Sequence, residues 1–304
     1  AQYDEPFADG SSIPTFLISR FARQHVTVCL SGDGGDELFA GYPRYLWADH
    51  VERWRKLLTP PGAYMVSRFL QELPAGFWNR VVDPLTGRRY AGDDGLSPRI
   101  KRFAGYLSCP REHAYSRTMS AWQQPELLLE EGDYKKLGAD NAHHPDLTWA
   151  EEMMLTDQKN YLQDDILTKV DRASMAVSME ARVPLLTHSL VEWTWRIPLN
   201  YKIKSHSDQG KRILREVLYR YVPKELIERP KQGFGMPMGL WLRGPLRDWA
   251  EALLTCADLE SAGLRAGIVR DVWKDHLSGN DRLSEIWTVL MYRQWQENWK
   301  WGRT

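Results

Sequence analysis

The sequence predicts an α/β fold, mostly helical, built on an incomplete doubly wound parallel sheet with a large helical extension. Three observations carry that prediction. Val26 to Leu30 is a nearly unbroken apolar run, too short for a helix and suited to a strand buried on both faces of a parallel sheet. Ahead of it, Ile13, Phe16, Leu17, Phe21 and Ala22 fall near helical spacing, giving an α-then-β unit. Most of the remaining chain carries apolar residues at helical intervals broken by prolines. The sheet reads as incomplete because no matching upstream strands are visible.

In order along the chain, Asp9 to Ser12 offer caps for a first helix that runs to about Gln24 and feeds the strand. The strand ends in Ser31-Gly-Asp-Gly-Gly-Asp-Glu37, at the edge where open α/β sheets bind ligands. Two readings of this loop stand side by side. Gly32, Gly34 and Gly35 would let backbone N–H groups approach phosphate oxygens, and Asp33, Asp36 and Glu37 would then require a divalent cation, Mg²⁺ above all, between carboxylate and phosphate. Alternatively, the glycines supply positive φ in a tight strand-to-helix turn whose acids cap the next helix.

That helix follows Asp36 and restarts at Pro43, with Trp47, Val51, Trp54 and Leu58 on one face up to Pro60-Pro61-Gly62. Short helices and turns fill Ala63 to Asp146. Ser97-Pro98 opens a helix over Arg99 to Ser108, Pro110 and Pro125 open two more, and Asp93 to Gly95 and Gly132-Asp133 are turns. The adjacent His143 and His144 are rejected as a metal pair, because neighbouring histidines diverge and no third ligand has suitable spacing. Thr148-Trp-Ala-Glu151 is a capping box that starts a long helix through about Leu162, with Met153, Met154 and Tyr161 as its apolar positions.

Asp164, Asp165, Lys169, Asp171 and Arg172 then cluster, facing either a polar cleft or solvent, while Ala173, Met175, Ala176 and Met179 give the same stretch a packed side. Glu180 and Arg182 fit an extended segment in which the two pair as structural support. Ile213, Leu214, Val217, Leu218 and Tyr221 form a helical stripe ahead of Pro223, which opens a short helix ending near Glu228. Lys231, flanked by Gln232, Gly233, Phe234 and Gly235, is either a surface lysine or an ammonium carried into a cleft on a flexible stretch. The rest is helical, and Trp287, Met291, Trp295 and Trp299, at steps of four, are expected to anchor the last helix.

Composition narrows the function classes. Forty basic and forty acidic residues among 304 give no net charge, which argues against a nucleic-acid footprint or an anionic membrane partner. No apolar run approaches the ~18 residues of a membrane span. Cys29, Cys109 and Cys256 are odd in number and far apart, which fits buried thiols in a reducing cytoplasm. The fourteen tryptophans read as packing.

Three ordered stretches carry a resemblance. Ser31 to Glu37, preceded by Asp4-Glu-Pro-Phe-Ala-Asp9, then Asp171 to Leu186, and then Glu228-Arg-Pro-Lys-Gln-Gly-Phe-Gly-Met-Pro237 resemble, in order, motifs of the glutamine-hydrolysing asparagine synthetase family. The resemblance lies in the carboxyl-terminal synthetase domain and spans most of residues 1 to 250. It implies a fold of the adenine-nucleotide alpha-hydrolase (ATP pyrophosphatase) type, with residues 1–59 as the remainder of the nucleotide-binding core, 60–146 as a helical insertion and 147–304 as the part that completes the active site.

It also implies ATP with Mg²⁺, an acceptor aspartate adenylylated on its side chain, and ammonia from glutamine. On that model Asp36 contacts Mg²⁺ and pyrophosphate, Ser31 and Gly32 contact AMP, and Lys231 neutralises transition-state charge. Asp33 is a general base in the amide-forming step, Lys169 faces the acceptor, and Glu37 and Asp171 are further substrate candidates. Dimers are common in that family, so a homodimer is an expected assembly, although no stretch marks an interface.

The departures matter too. Asp33 stands where many members have glutamate, and Pro184-Leu-Leu-Thr187 replaces a Pro-aromatic-Leu-Asp pattern. The family's Ser-Gly-Gly-x-Asp-Ser pyrophosphatase loop and its amino-terminal glutaminase domain have no match. The resemblance therefore implies a carboxyl-terminal portion, inactive alone, whose glutaminase domain belongs to the same full-length chain. Two alternatives remain: a related amidotransferase acting on another carboxylate, or a helical interaction module without catalysis.

Overall fold

Residues 2–73, 103–109, 111–122, 124–130, 144–203, 209–228 and 236–301 are described by the structure, a computed structural model. The readings placed at Asp93 to Gly95, Ser97-Pro98, Pro110, Gly132-Asp133, His143 and Lys231 lie outside these residues.

Helix α1 (Ser12–Ala22) begins where the Asp9 carboxylate accepts the backbone N–H and the hydroxyl of Ser11 at 2.8 and 2.7 Å. It is followed by β1 (Val28–Leu30), the short α2 (Gly35–Leu38) and α3 (Pro43–Leu57), whose leading proline occupies the position that needs no N–H. Next come α4 (Pro60–Glu72), capped by Thr59, α5 (103–108), α6 (Arg111–Met119) and a 3₁₀ turn at Pro125–Leu127.

The capping box forms as expected at the start of α7 (Trp149–Lys159). Instead of running on to Leu162 as a regular helix, the chain then widens into a π-helix over Tyr161–Leu167 before α8 (Thr168–Met175). β2 (Glu180–Arg182) leads through a 3₁₀ turn at Pro184–Leu186 to α9 (His188–Arg196), α10 (Leu199–Lys202), α11 (Arg212–Leu218) and α12 (Lys224–Ile227). The carboxyl-terminal bundle is α13 (Met238–Arg243), α14 (Arg247–Leu253), α15 (Cys256–Ser261), α16 (Ala266–Leu277) and α17 (Leu283–Trp301).

β1 and β2 form a two-stranded parallel sheet in the register Val28↔Glu180, Cys29↔Ala181 and Leu30↔Arg182. The strand is where the sequence puts it, but the expectation that it is buried on both faces is overturned: Leu30 is 73 % exposed. Among the described residues only β2 pairs with it, and Val28 and Leu30 on one face meet solvent while Cys29 on the other is half-buried. Leu17, Ile18 and Phe21 on α1 are exposed as well. The Glu180–Arg182 ion pair, at 2.8 Å, is likewise solvent-exposed.

Two cores hold the rest. One is built by α13 to α17 around Leu242, Leu254, Trp273, Ile286 and Leu290, where Trp287 anchors α17 as expected. Trp299 at the far end is exposed. The other gathers Tyr45, Val51, Tyr106, Tyr115, Trp149, Met153 and Met154 from α3, α5, α6 and α7. Inside it, buried Asp157 accepts hydrogen bonds from the hydroxyls of Tyr45 and Tyr115 and pairs with Arg44 at 2.7 Å. The Arg44 guanidinium also lies 3.9 Å from the Tyr42 ring centroid. This network ties α3 to α7 directly behind the glycine loop.

Two further expectations change. Trp54 points to solvent, and the α11 stripe is only partly covered, with Val217 and Tyr221 exposed. Lys211, just before α11, pairs with Asp36, and Arg215 in the middle of the helix pairs with Glu228. Of the three cysteines Cys109 is buried, Cys29 partly so and Cys256 exposed, all free.

Candidate active site

The parallel ladder sets the loop's position. After Leu30 the Ser31 N–H still donates to the Arg182 carbonyl at 2.8 Å, so the glycine turn leaves from the carboxyl end of both strands. The Ser31 hydroxyl donates to the Asp33 carboxylate, which fixes the first half of the loop.

The glycines are not equivalent. Gly34 has φ +82°, and a Cβ there would run into Leu186, so turn geometry and packing both require glycine. Gly35 sits close to Leu185, with 3.1 Å between its would-be Cβ and Leu185 Cδ1. A Cβ on Gly32 would meet nothing within 4 Å. Packing therefore does not explain Gly32, which stands bare on the open side of the turn.

Asp36 and Glu37 part company at the start of α2. The Asp36 carboxylate meets the Lys211 ammonium at 2.9 Å. Glu37 turns inward, is 1 % exposed and accepts the Tyr42 hydroxyl at 2.6 Å. Burial raises the Glu37 pKa, with the Tyr42 hydrogen bond opposing, and burial beside Glu37 pushes the Tyr42 phenol up as well. The Glu37 backbone carbonyl is held from the far side by Gln158 at 3.1 Å. The structure thus places Glu37 inside the domain behind the turn, held by Tyr42 and Gln158, while Gly32 lies on the open side.

A second polar group lies where α1 packs along α8. Lys169 is buried, and its ammonium is 2.6 Å from the Asp9 carboxylate. Burial acts to raise the Asp9 pKa, but the hydrogen bonds from Lys169 and Ser11 outweigh it and hold the carboxyl below its ordinary value. Asp165, on the π-helix, is pushed up to about 7 by burial and by the negative charge of Asp9. Asp171 is exposed on α8, and Arg172 beside it pairs with Asp4 at 3.0 Å.

The structure therefore brings Ser31, Asp33 and Asp36 together on one turn and places Lys169 in a paired, buried setting on a neighbouring helix. Sequence reasoning missed Lys211, Tyr42 and the ionic role of Asp9. The signal for Lys211 was its glycine neighbour: Gly210 and Lys211 form a tight turn at the start of α11, while only the apolar positions of that helix drew notice. The sequence offers Asp9 as a helix cap, but the cap position is Ser11, and the Asp9 carboxylate accepts the Ser11 N–H and hydroxyl instead of a first-turn amide.

The chain is 27 % identical over 295 residues to asparagine synthetase [glutamine-hydrolyzing] 1 of Bacillus subtilis, covering 96 % of this chain and 44 % of that protein. A Mycobacterium bovis protein carrying the same description in provisional form is 30 % identical over 306 residues, covering 96 % of this chain and 42 % of that protein. A Penicillium rubens amidase, chyE, is 27 % identical over 256 residues, covering 79 % of this chain and 36 % of that protein. The chain thus spans less than half the length of these relatives. A family model described as asparagine synthase matches residues 1–297, and on that match the chain belongs to the asparagine synthase family.

Proposed function

We propose that this chain is the amide-forming part of a glutamine-dependent asparagine synthetase, acting on ATP and the side-chain carboxylate of aspartate. The single observation that carries the reading is the turn at the carboxyl end of β1, where Gly32 is left bare beside Asp33 while the Lys211–Asp36 pair sits behind it. The family match supports it.

The reaction has two steps. An acceptor carboxylate oxygen attacks the α-phosphorus of ATP, the bond to the β-phosphate oxygen breaks, and pyrophosphate leaves. Ammonia then attacks the acyl carbon, loses a proton and expels AMP. On this reading Ser31 and Gly32 contact the AMP portion through backbone and hydroxyl, with Gly34 and Gly35 shaping the turn around the phosphates. Asp33, already holding the Ser31 hydroxyl, takes the proton from the attacking nitrogen. Lys231 supplies positive charge to the oxygens that become more anionic as pyrophosphate departs, and Lys169, which pairs with Asp9 here, and Asp171 are the further candidates to meet the acceptor.

Magnesium fits these residues. Among the described residues no group of three or more His, Cys, Asp and Glu is arranged for a metal, but Mg²⁺ in nucleotide sites takes one or two carboxylates and completes its shell from phosphates and water. Asp36 is the carboxylate that would hold the ion, and Mg²⁺ would have to share it with, or displace, the Lys211 ammonium that pairs with it at 2.9 Å. When bound, the ion neutralises charge on the leaving pyrophosphate.

A second reading has specific support. Thr187 stands where an acid is usual, and fungal amidases are among the relatives, so the acceptor is open to being a carboxylate other than aspartate's.

Product analysis separates them. The full-length protein, given ATP, Mg²⁺, aspartate and amide-labelled glutamine, yields labelled asparagine with equal AMP and pyrophosphate on the first reading. Glutamine hydrolysis without asparagine would move the assignment to another acceptor. Loss of both activities in a folded protein would favour a non-catalytic interaction module. The 304-residue chain alone is expected to show no sustained ATP turnover.

A further inference from the structure

The exit of the glycine loop and the start of α11 meet in an unusually tight backbone junction. Ala40 and Lys211 are both non-glycine residues in the left-handed region, with φ 56° and 59°, and the Lys211 N–H donates to the Phe39 carbonyl at 2.8 Å. A Cβ on Gly210 would overlap the Ala40 carbonyl, and one on Gly41 would overlap the Asp36 carboxylate and the Lys211 side chain. Left-handed backbone at ordinary residues costs of the order of 1 kcal/mol or more each, so something must hold the junction closed.

Arg215, one turn along α11, is placed to do so. Its Nε donates to the Gly210 carbonyl at 3.2 Å, and its Nη1 meets Glu228 at 2.7 Å. Glu228 is fixed in turn by the hydroxyl of Tyr219 and by Gln209 at 2.7 Å. The guanidinium thus bridges the residue before Lys211 to an anchored carboxylate. Five donors in a rigid fork suit this task, and the single ammonium of lysine does not replace it in full.

From this geometry we infer that Arg215 is a positioning residue: by clamping the Gly210 carbonyl it holds the left-handed turn that aims the Lys211 ammonium at Asp36. Its effect on catalysis rests on the reading of the loop as the nucleotide site. Arg215 itself contacts neither loop nor substrate and acts through Gly210 and Lys211.

The test uses the full-length protein with Arg215→Ala, Arg215→Lys, Lys211→Ala and the Arg215→Ala/Lys211→Ala double variant, and Glu228→Gln as a milder break of the same clamp. Two readouts are taken. Hydrogen exchange at the Lys211 amide, resolved by mass spectrometry, reports the junction without reference to activity. Losing a charge-assisted hydrogen bond is expected to lower its protection about tenfold in Arg215→Ala, less in Glu228→Gln, with no change at Leu38 in α2. Pyrophosphate exchange into ATP reports the consequence: Arg215→Ala and Lys211→Ala each fall about tenfold, the double variant falls no further than Lys211→Ala, and Arg215→Lys recovers part of the loss.

Unchanged protection at Lys211, or a double variant whose losses multiply, overturns the proposal. If the unmutated protein catalyses no exchange with aspartate as acceptor, the reading as an aspartate-adenylylating site fails, and the amide protection alone decides whether Arg215 holds the junction.

Discussion

Asp165 illustrates how one side chain records the chemistry around it. Its pKa is raised by burial and by the nearby Asp9 charge to about 7, against roughly 3.9 for an unfolded aspartate. Between these values the folded state binds more protons than the unfolded one. The group's contribution to stability is thus full below about pH 4 and is lost as pH rises through 7. Asp165→Asn should therefore raise the unfolding midpoint at pH 8 more than at pH 4, measured by thermal denaturation at both. Lys202 behaves in the opposite sense. It is buried over the Trp195 ring, and burial lowers its pKa to about 8. Unfolded lysine holds its proton up to about 10.4, so the penalty is complete below pH 8 and fades toward pH 10. Lys202→Met is expected to stabilise the protein at pH 7 and to lose that advantage near pH 10. At the glycine turn, Gly34→Ala should lower the unfolding midpoint because it faces both a positive φ and Leu186, and Leu186→Ala in the same chain should return part of the loss. The strand-to-helix turn was legible at this scale because glycine and acid spacing is local. Its partners were not: Lys211 and Asp9 come from distant positions, and although Gly210 marks a turn beside Lys211, nothing in the sequence pairs these residues with Asp36 or Lys169.

Among the elements, those with local start signals came out as expected. The capping box of α7 forms in both directions, with the Glu151 N–H donating to Thr148 Oγ1 at 3.3 Å and the Thr148 N–H to Glu151 at 2.9 Å. Thr148→Ala should cost about 1 kcal/mol in chemical denaturation. The proline-led α3 and α4 were equally readable. The π-helix at Tyr161–Leu167 was not, because a widened turn has the composition of an ordinary helix and is imposed by what it packs against. It carries Asp165 and leads directly into the turn bearing Lys169, so the segment hardest to read is the one that builds the second polar group. β1 shows the converse case: its apolar pattern announced a strand correctly, while its burial depended on neighbours that the pattern does not contain.

Among the described residues there are two well-packed cores and an open edge, where α1 and β1 present apolar side chains to solvent. Exposed apolar surface beside an open sheet edge favours association. The 304-residue chain is expected to sediment with concentration-dependent self-association, and Leu30→Asn with Phe21→Asp should reduce it. Unchanged sedimentation would remove the open edge as its cause. Whole-molecule organisation was the least legible level, since the two strands that pair are separated by all of α2 to α8. That separation bears on the chain's birth. Val28 finds its partner only when Glu180 has been made, and at a translation rate of about 5–20 residues per second the strand emerges from the ribosome many seconds before there is anything for it to pair with.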